Sequence, residues 1–264
     1  MGYLALAAVA VHAPFAAQAA AATPAPQVTV STEMSAVCDR IAALVVPTEQ
    51  IESRLNQTLP TLVRQLIESD RELTIMEREF PGLSDAVVAA WRPIMVRAEN
   101  EMIPQYRAEM ADMYCRNFTL PELQEIAVFL QSPAFQALQK STYQNLSLSR
   151  TADDIIDERD ISAKSIRGDL ADSGAKAAME LSPEHKRTVM TFMSSPLGRK
   201  MVGLTQEKLA IDTKWANYAP DWAAVEIEKV TIDAMIAHIA KTDPKLAQEM
   251  SAQLTAQNGA AKRN

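Results

Sequence analysis

The sequence predicts an all-α protein, a multi-helix bundle built from two related helix–Ser-Pro–helix units. Three observations favour this fold class. The chain of 264 residues has only 7 glycines and 5% aromatic residues, which leaves little of the turn and strand chemistry that sheets use. Apolar residues recur at three- and four-residue steps, as on one face of a helix. Two segments, 118–138 and 181–201, carry the same local pattern.

Length and composition set the class of protein. A hydrophobic content of 48% in 264 residues is enough to fill one large core or two small ones. The formal net charge of -7 and the pI near 5.1 argue against a nucleic-acid partner, because duplex binding needs clustered Lys and Arg. The same acidic balance argues against an anionic membrane surface.

The first residues are almost wholly apolar or small. Residues 1–22 predict a secretory signal peptide that is cleaved, followed by a linker over 23–31. No Lys or Arg precedes Arg40, so the basic start of a signal is missing, and a membrane anchor or a buried N-terminal helix stays open as an alternative. We expect a periplasmic protein with no transmembrane span in the mature chain.

The next region, residues 32–150, is expected to form the N-terminal helical half with the first unit. Apolar residues at helical spacing predict a first helix that stops at Pro47, then a second that begins at Thr48. These two helices are expected to pack antiparallel. A long helix is predicted over 84–117.

Two cysteines, Cys38 and Cys115, are present. In an oxidising compartment such a pair is a candidate disulfide. Two separate buried thiols are the alternative, since spacing alone does not fix the distance between the Cα atoms.

The two similar segments align position by position. With Thr119 placed on Ser182, the apolar positions coincide, as in Phe129 on Phe192 and Ile126 on Val189. Both aligned polar residues are placed to cap a helix.

Each segment then reaches a Ser-Pro pair, Ser132 and Pro133 or Ser195 and Pro196. Proline disfavours the α conformation at the serine before it, and that serine can cap the helix that the proline begins. The sequence therefore predicts two structural elbows, each between two helices.

An apolar stripe ending in Phe, then two residues and Ser-Pro, then a small residue, Gly and basic residues, resembles the bacterial family called domain of unknown function 2059. The segment from Phe192 to Lys200, FMSSPLGRK, carries this pattern. The first copy keeps Phe129, Ser132 and Pro133 but has Phe135 and Gln136 in place of the glycine and the basic residue. The resemblance implies an exported, all-helical protein with no assigned activity and no catalytic residues to transfer.

The remaining chain, residues 151–257, is expected to form the C-terminal helical half with the second unit. The segment GDLADSG at 168–174 is rich in turn-forming residues and is expected to be the boundary before that unit. Residues 258–264 are predicted to be a flexible tail.

No constellation for chemistry is found in the sequence. HExxH, GxSxG, CxxC and phosphate-binding glycine motifs are all missing. We therefore expect no catalytic, cofactor-binding or metal-binding residues and no cofactor. Arg199, Lys200 and Lys208 form a candidate partner-facing surface, with ordinary solvation as the alternative.

These features favour a noncatalytic protein that acts by protein–protein interaction, with an envelope protein or with a second copy of itself. A small-ligand carrier or hydrolase with a pocket between the two halves is one alternative. A chaperone-like holder of exported chains is another, and it would need an extended exposed apolar groove.

Overall fold

The computed structural model describes residues 31–48, 51–157 and 159–261. Within these ranges the chain forms thirteen α-helices and no strand, which confirms the all-α prediction. The helices are α1 (Thr32–Val45), α2 (Ile51–Ser69), α3 (Arg71–Glu79), α4 (Leu83–Asn117), α5 (Leu120–Gln131), α6 (Pro133–Gln144), α7 (Ser149–Ile156), α8 (Ala163–Glu180), α9 (Pro183–Ser194), α10 (Pro196–Gly203), α11 (Thr205–Ala216), α12 (Asp221–Ile239) and α13 (Pro244–Ala261).

Some sequence-based predictions fall on residues that are not described. The signal peptide predicted over 1–22 lies outside the described residues, as does the linker apart from Ser31. Of the predicted tail, residues 262–264 are also outside them, and α13 extends to Ala261.

Two compact units are formed, and they are not consecutive in sequence. Unit 1 contains the described residues up to Arg54 and Glu99–Ala219, and unit 2 contains Leu55–Ala98 and the described residues from Pro220. The division expected from sequence between residues 150 and 151 falls inside unit 1. Two helices, α2 and α4, contribute residues to both units.

Unit 1 contains both Ser-Pro pairs. Its first helix, α1, packs against α5. The antiparallel packing of α1 and α2 stays a prediction. From Leu55 onward α2 belongs to unit 2. A disulfide joins Cys38 of α1 to Cys115 of α4, with the Cα atoms 5.8 Å apart. Both cysteines are buried.

The boundary expected at residues 168–174 was wrong, since this segment lies in the middle of α8. Local turn propensity is overcome by buried polar contacts. The carboxylate of Asp169 accepts hydrogen bonds from the backbone N–H of Arg150 at 3.2 Å and of Thr151 at 3.0 Å. It therefore satisfies N–H groups that are free in the first turn of α7.

Unit 2 has a separate small core, in which Phe80, Ile239 and Ala247 are buried together. The indole N–H of Trp91 on α4 donates to the hydroxyl of Thr231 on α12, at 2.6 Å. Within the described ranges, no helix is both long enough and apolar enough to cross a membrane.

The disulfide gives the first prediction. It closes a loop spanning a sequence separation of 77, so replacing both cysteines by alanine is expected to lower the free energy of unfolding by about 4 kcal/mol. Urea unfolding of the C38A/C115A variant measures this loss. A reductant should destabilise the wild-type protein by a similar amount and leave the double variant unchanged, because the chain has 2 cysteines. An unfolding midpoint that is the same with and without the disulfide would contradict the prediction.

Candidate functional site

The two Ser-Pro elbows have the same local construction. Helix α5 is followed by Ser132, whose hydroxyl accepts a hydrogen bond from the backbone N–H of Phe135 at 3.2 Å. Helix α9 is followed by Ser195, whose hydroxyl accepts from the N–H of Gly198 at 3.0 Å. Both serines have extended backbone angles and are followed by a proline at the first position of the next helix. Each serine therefore ends one helix and caps another.

The elbows meet through two phenylalanines that the sequence alignment had paired. The rings of Phe129 and Phe192 are stacked, with centroids 3.7 Å apart and planes inclined by 4°. Phe135 also contacts the ring of Phe129, with the two ring centroids 5.5 Å apart. Because the stacked residues are the last aromatic residues before each Ser-Pro, the contact holds the ends of α5 and α9 together.

An ion pair also links the two Ser-Pro units. The ammonium group of Lys200 on α10 lies 2.8 Å from the carboxylate of Glu122 on α5, and 4.8 Å from the ring centroid of Phe118. Glu122 also accepts a hydrogen bond from the backbone N–H of Thr119 at 2.8 Å, at the start of α5. Burial acts to raise the pKa of Glu122, but the hydrogen bonds from Lys200 and Thr119 outweigh it and lower that pKa.

A small apolar cavity lies among the helices of both elbows, with a volume of about 30 Å³. Aliphatic, aromatic and thioether side chains make up most of its wall. They come from α1, α4, α5, α6, α9 and α10, and include Leu130, Leu138, Val189, Met193 and Val202. Met193 and Val202 are only half-buried, so the cavity reaches the surface on the side of α9 and α10. Its size suits one small apolar group rather than a whole ligand.

Unit 1 also contains buried polar side chains that do not line this cavity. The hydroxyl of Tyr106 on α4 donates to the carboxylate of Asp212 on α11 at 2.6 Å, and Lys208 donates to the same carboxylate. Burial raises the pKa of Tyr106 well above its ordinary value, and the negative charge of Asp212 adds to the rise. A second buried pair joins Arg54 to Glu99. These groups bond mainly to one another, which is the arrangement that buried charges require.

The candidate partner-facing surface is only partly present. Lys208 is 3% exposed and pairs with Asp212, so its place on that surface was wrong. Lys208 lies four residues before Asp212, so the two side chains are on the same face of α11 and can form an ion pair. This face is buried, which keeps Lys208 away from solvent. Lys200 is engaged by Glu122, and the guanidinium of Arg199 donates to the carbonyl of Ser194.

Unit 2 has a different concave feature, an open groove along α12 and α13. Its lining includes Ile236, Ala240, Pro244 and Ala247. Among the described residues, no group of three or more His, Cys, Asp and Glu side chains is arranged to hold a metal ion.

Comparison of the chain with known protein families, with curated proteins and with solved structures finds no match in any of the three.

The second elbow gives a prediction about Gly198. A Cβ atom at this position would lie 2.1 Å from the carbonyl oxygen of Phe192 and 2.7 Å from the Cα atom of Met193. These are backbone atoms, so a side-chain rotation cannot relieve the clash. Gly198→Ala is therefore expected to lower the free energy of unfolding by about 1–3 kcal/mol, measured by urea unfolding.

The matched control is Gly203→Ala in the same helix, where a Cβ atom would have no neighbour within 4 Å. This variant should be neutral or slightly more stable than wild type. Equal stability of the two variants would show that the close approach at the second elbow is not real.

Proposed function

We propose that this chain is a noncatalytic helical protein that binds another protein, or a second copy of itself, through the face that its two Ser-Pro units form. The observation that carries the proposal is the apolar cavity of about 30 Å³ between the two elbows. Binding energy in protein interfaces is concentrated where one partner's apolar side chain fills a pocket on the other. A partner that inserts a single aliphatic side chain there would contact both units at once.

The surface beside the cavity supports this function. Met190 on α9 is 60% exposed. It lies three residues before Met193 of the cavity wall, and therefore on the same side of α9. Exposed large apolar residues of this kind contribute to the contact area around a pocket.

We also propose that the protein acts in the periplasm, as a member of the domain of unknown function 2059 family. The disulfide between Cys38 and Cys115 supports an oxidising compartment, because such bonds persist in exported proteins. The proposal of family membership rests on the sequence pattern from Phe192 to Lys200.

The alternatives have less support from the geometry. A small-ligand carrier would need a site of several hundred Å³, whereas the cavity between the elbows has about 30 Å³. A hydrolase would need acids and bases that face a substrate, but the buried polar groups of unit 1 described above pair with one another. A holder of unfolded chains would draw on exposed apolar surface, for which the groove along α12 and α13 is the available candidate.

Photocrosslinking in cells that express the protein tests partner binding. A benzophenone amino acid is placed at Met190, three residues from Met193 and so on the same side of α9. In this background, Val202→Phe adds bulk to the half-buried wall of the cavity. The control is Val225→Phe, the same substitution at a residue of unit 2 that is 70% exposed.

We expect one defined crosslinked product in the unsubstituted background and in Val225→Phe, and at least a tenfold loss of it in Val202→Phe, a loss of about 1.4 kcal/mol or more in binding. Mass spectrometry of the product distinguishes an envelope protein from a second copy of the chain. Circular dichroism checks that both variants keep their helical content. Equal product from the two phenylalanine variants would contradict the proposal.

A further inference from the structure

Arg54 and Glu99 form an ion pair in the interior of unit 1. Arg54 lies in the first turn of α2 and Glu99 in the middle of α4, with 3.0 Å between the guanidinium nitrogen and the carboxylate oxygen. Their side chains are only 4% and 1% exposed. They are also the residues at which α2 and α4 change unit, since the neighbouring Leu55 and Ala98 belong to unit 2. The contact between these two side chains therefore joins the first turn of α2 to α4.

The two oxygens of the Glu99 carboxylate differ in their hydrogen bonding. Its Oε2 atom accepts from Arg54, but its Oε1 atom is buried and has no hydrogen-bond partner in the part of the chain that the structure describes. Burial of a charged carboxylate costs free energy when one of its two oxygens accepts no hydrogen bond. The carboxylic acid, which carries no charge, loses much less by burial.

Side chains of two other helices interact with Glu99. Arg54 of α2 bears on it directly, and its guanidinium also lies 5.5 Å from the ring centroid of Tyr143 on α6. The charges of both Glu99 and Asp212 of α11 act on Tyr143. Asp212 is itself paired with Lys208. Arg54 thus supplies the positive charge that opposes protonation of Glu99.

Burial outweighs that opposing charge. It raises the pKa of Glu99 from 4.5 to about 7, although the charge and hydrogen bond of Arg54 act to lower it. Between these two values the folded protein holds a proton that the unfolded chain has released. The contribution of Glu99 to stability is therefore fully present below pH 4.5 and is lost as pH rises to about 7.

We propose that the Arg54–Glu99 pair is a pH-sensitive latch, in which protonation of Glu99 fastens the first turn of α2 to α4 and its ionisation loosens that turn. Opening of the turn lets water reach the carboxylate, so the ionised form favours the open state. The proposal concerns residues that do not line the cavity and does not depend on the proposed function.

Hydrogen exchange of the backbone amides of residues 55–58 tests the latch, because in the helix these amides bond to the carbonyls of residues 51–54. After correction for intrinsic exchange rates, we expect the opening equilibrium in the wild-type protein to rise by about 100-fold between pH 4.5 and pH 8. Glu99→Gln should abolish this pH dependence. Arg54→Met removes the opposing charge and should move the midpoint to higher pH. Protection that is the same at both pH values in the wild type would overturn the proposal.

Titration of the wild-type protein, followed by NMR of the glutamate side-chain carboxyl carbons, keeps the test valid if a variant fails to fold. The Glu99 signal is expected to titrate near pH 7, and that of Glu122, whose pKa is lowered, should titrate below the ordinary range. A Glu99 midpoint near 4.5 would overturn the proposal.

Discussion

The stacking of Phe129 on Phe192 holds the two Ser-Pro units of unit 1 together, and the other features of the site depend on it. The nearly parallel rings lie with centroids 3.7 Å apart, which is closer than the offset or edge-to-face arrangements that aromatic pairs favour electrostatically. The contact therefore stabilises unit 1 mainly by removing apolar surface from water. The capping serines make it possible, because they fix where α5 and α9 end and so where each ring is placed.

Two kinds of interior lie side by side in unit 1. Around the stacked rings the side chains are apolar and leave a small cavity. Beyond it, buried ion pairs and tyrosines connect α2, α4, α6 and α11. The apolar part offers space for another molecule's side chain, whereas the polar part fixes the register of its own helices, since buried polar groups need hydrogen-bond partners.

The sequence was sufficient to predict the local features. The all-α class, the starts of α5, α6, α9 and α10, and the Ser-Pro elbows follow from spacing and capping chemistry, which act within a few residues. The same signals misled at residues 168–174, where Gly, Asp and Ser indicated a boundary, because Asp169 is held by backbone groups about twenty residues earlier along the chain. No local pattern reports such a partner.

Long-range contacts of the site could not be predicted for the same reason. Arg54 and Glu99 are 45 residues apart, and nothing in the spacing of either residue indicates the other. Alignment of the two segments placed Phe129 opposite Phe192, yet alignment shows equivalence and not contact. The burial of Lys208 depends on the arrangement of α4 and α11, although Asp212 four residues later was a visible sign of a partner.

A double-mutant cycle on Phe129 and Phe192 measures most directly whether the two elbows meet. Free energies of unfolding in urea are determined for the wild type, for each alanine variant and for the double variant. If the rings stack, the double variant loses less stability than the sum of the two single losses, with a coupling energy of about 1 kcal/mol. Strict additivity of the two losses would show that the rings are not in contact and that the elbows do not form a common face.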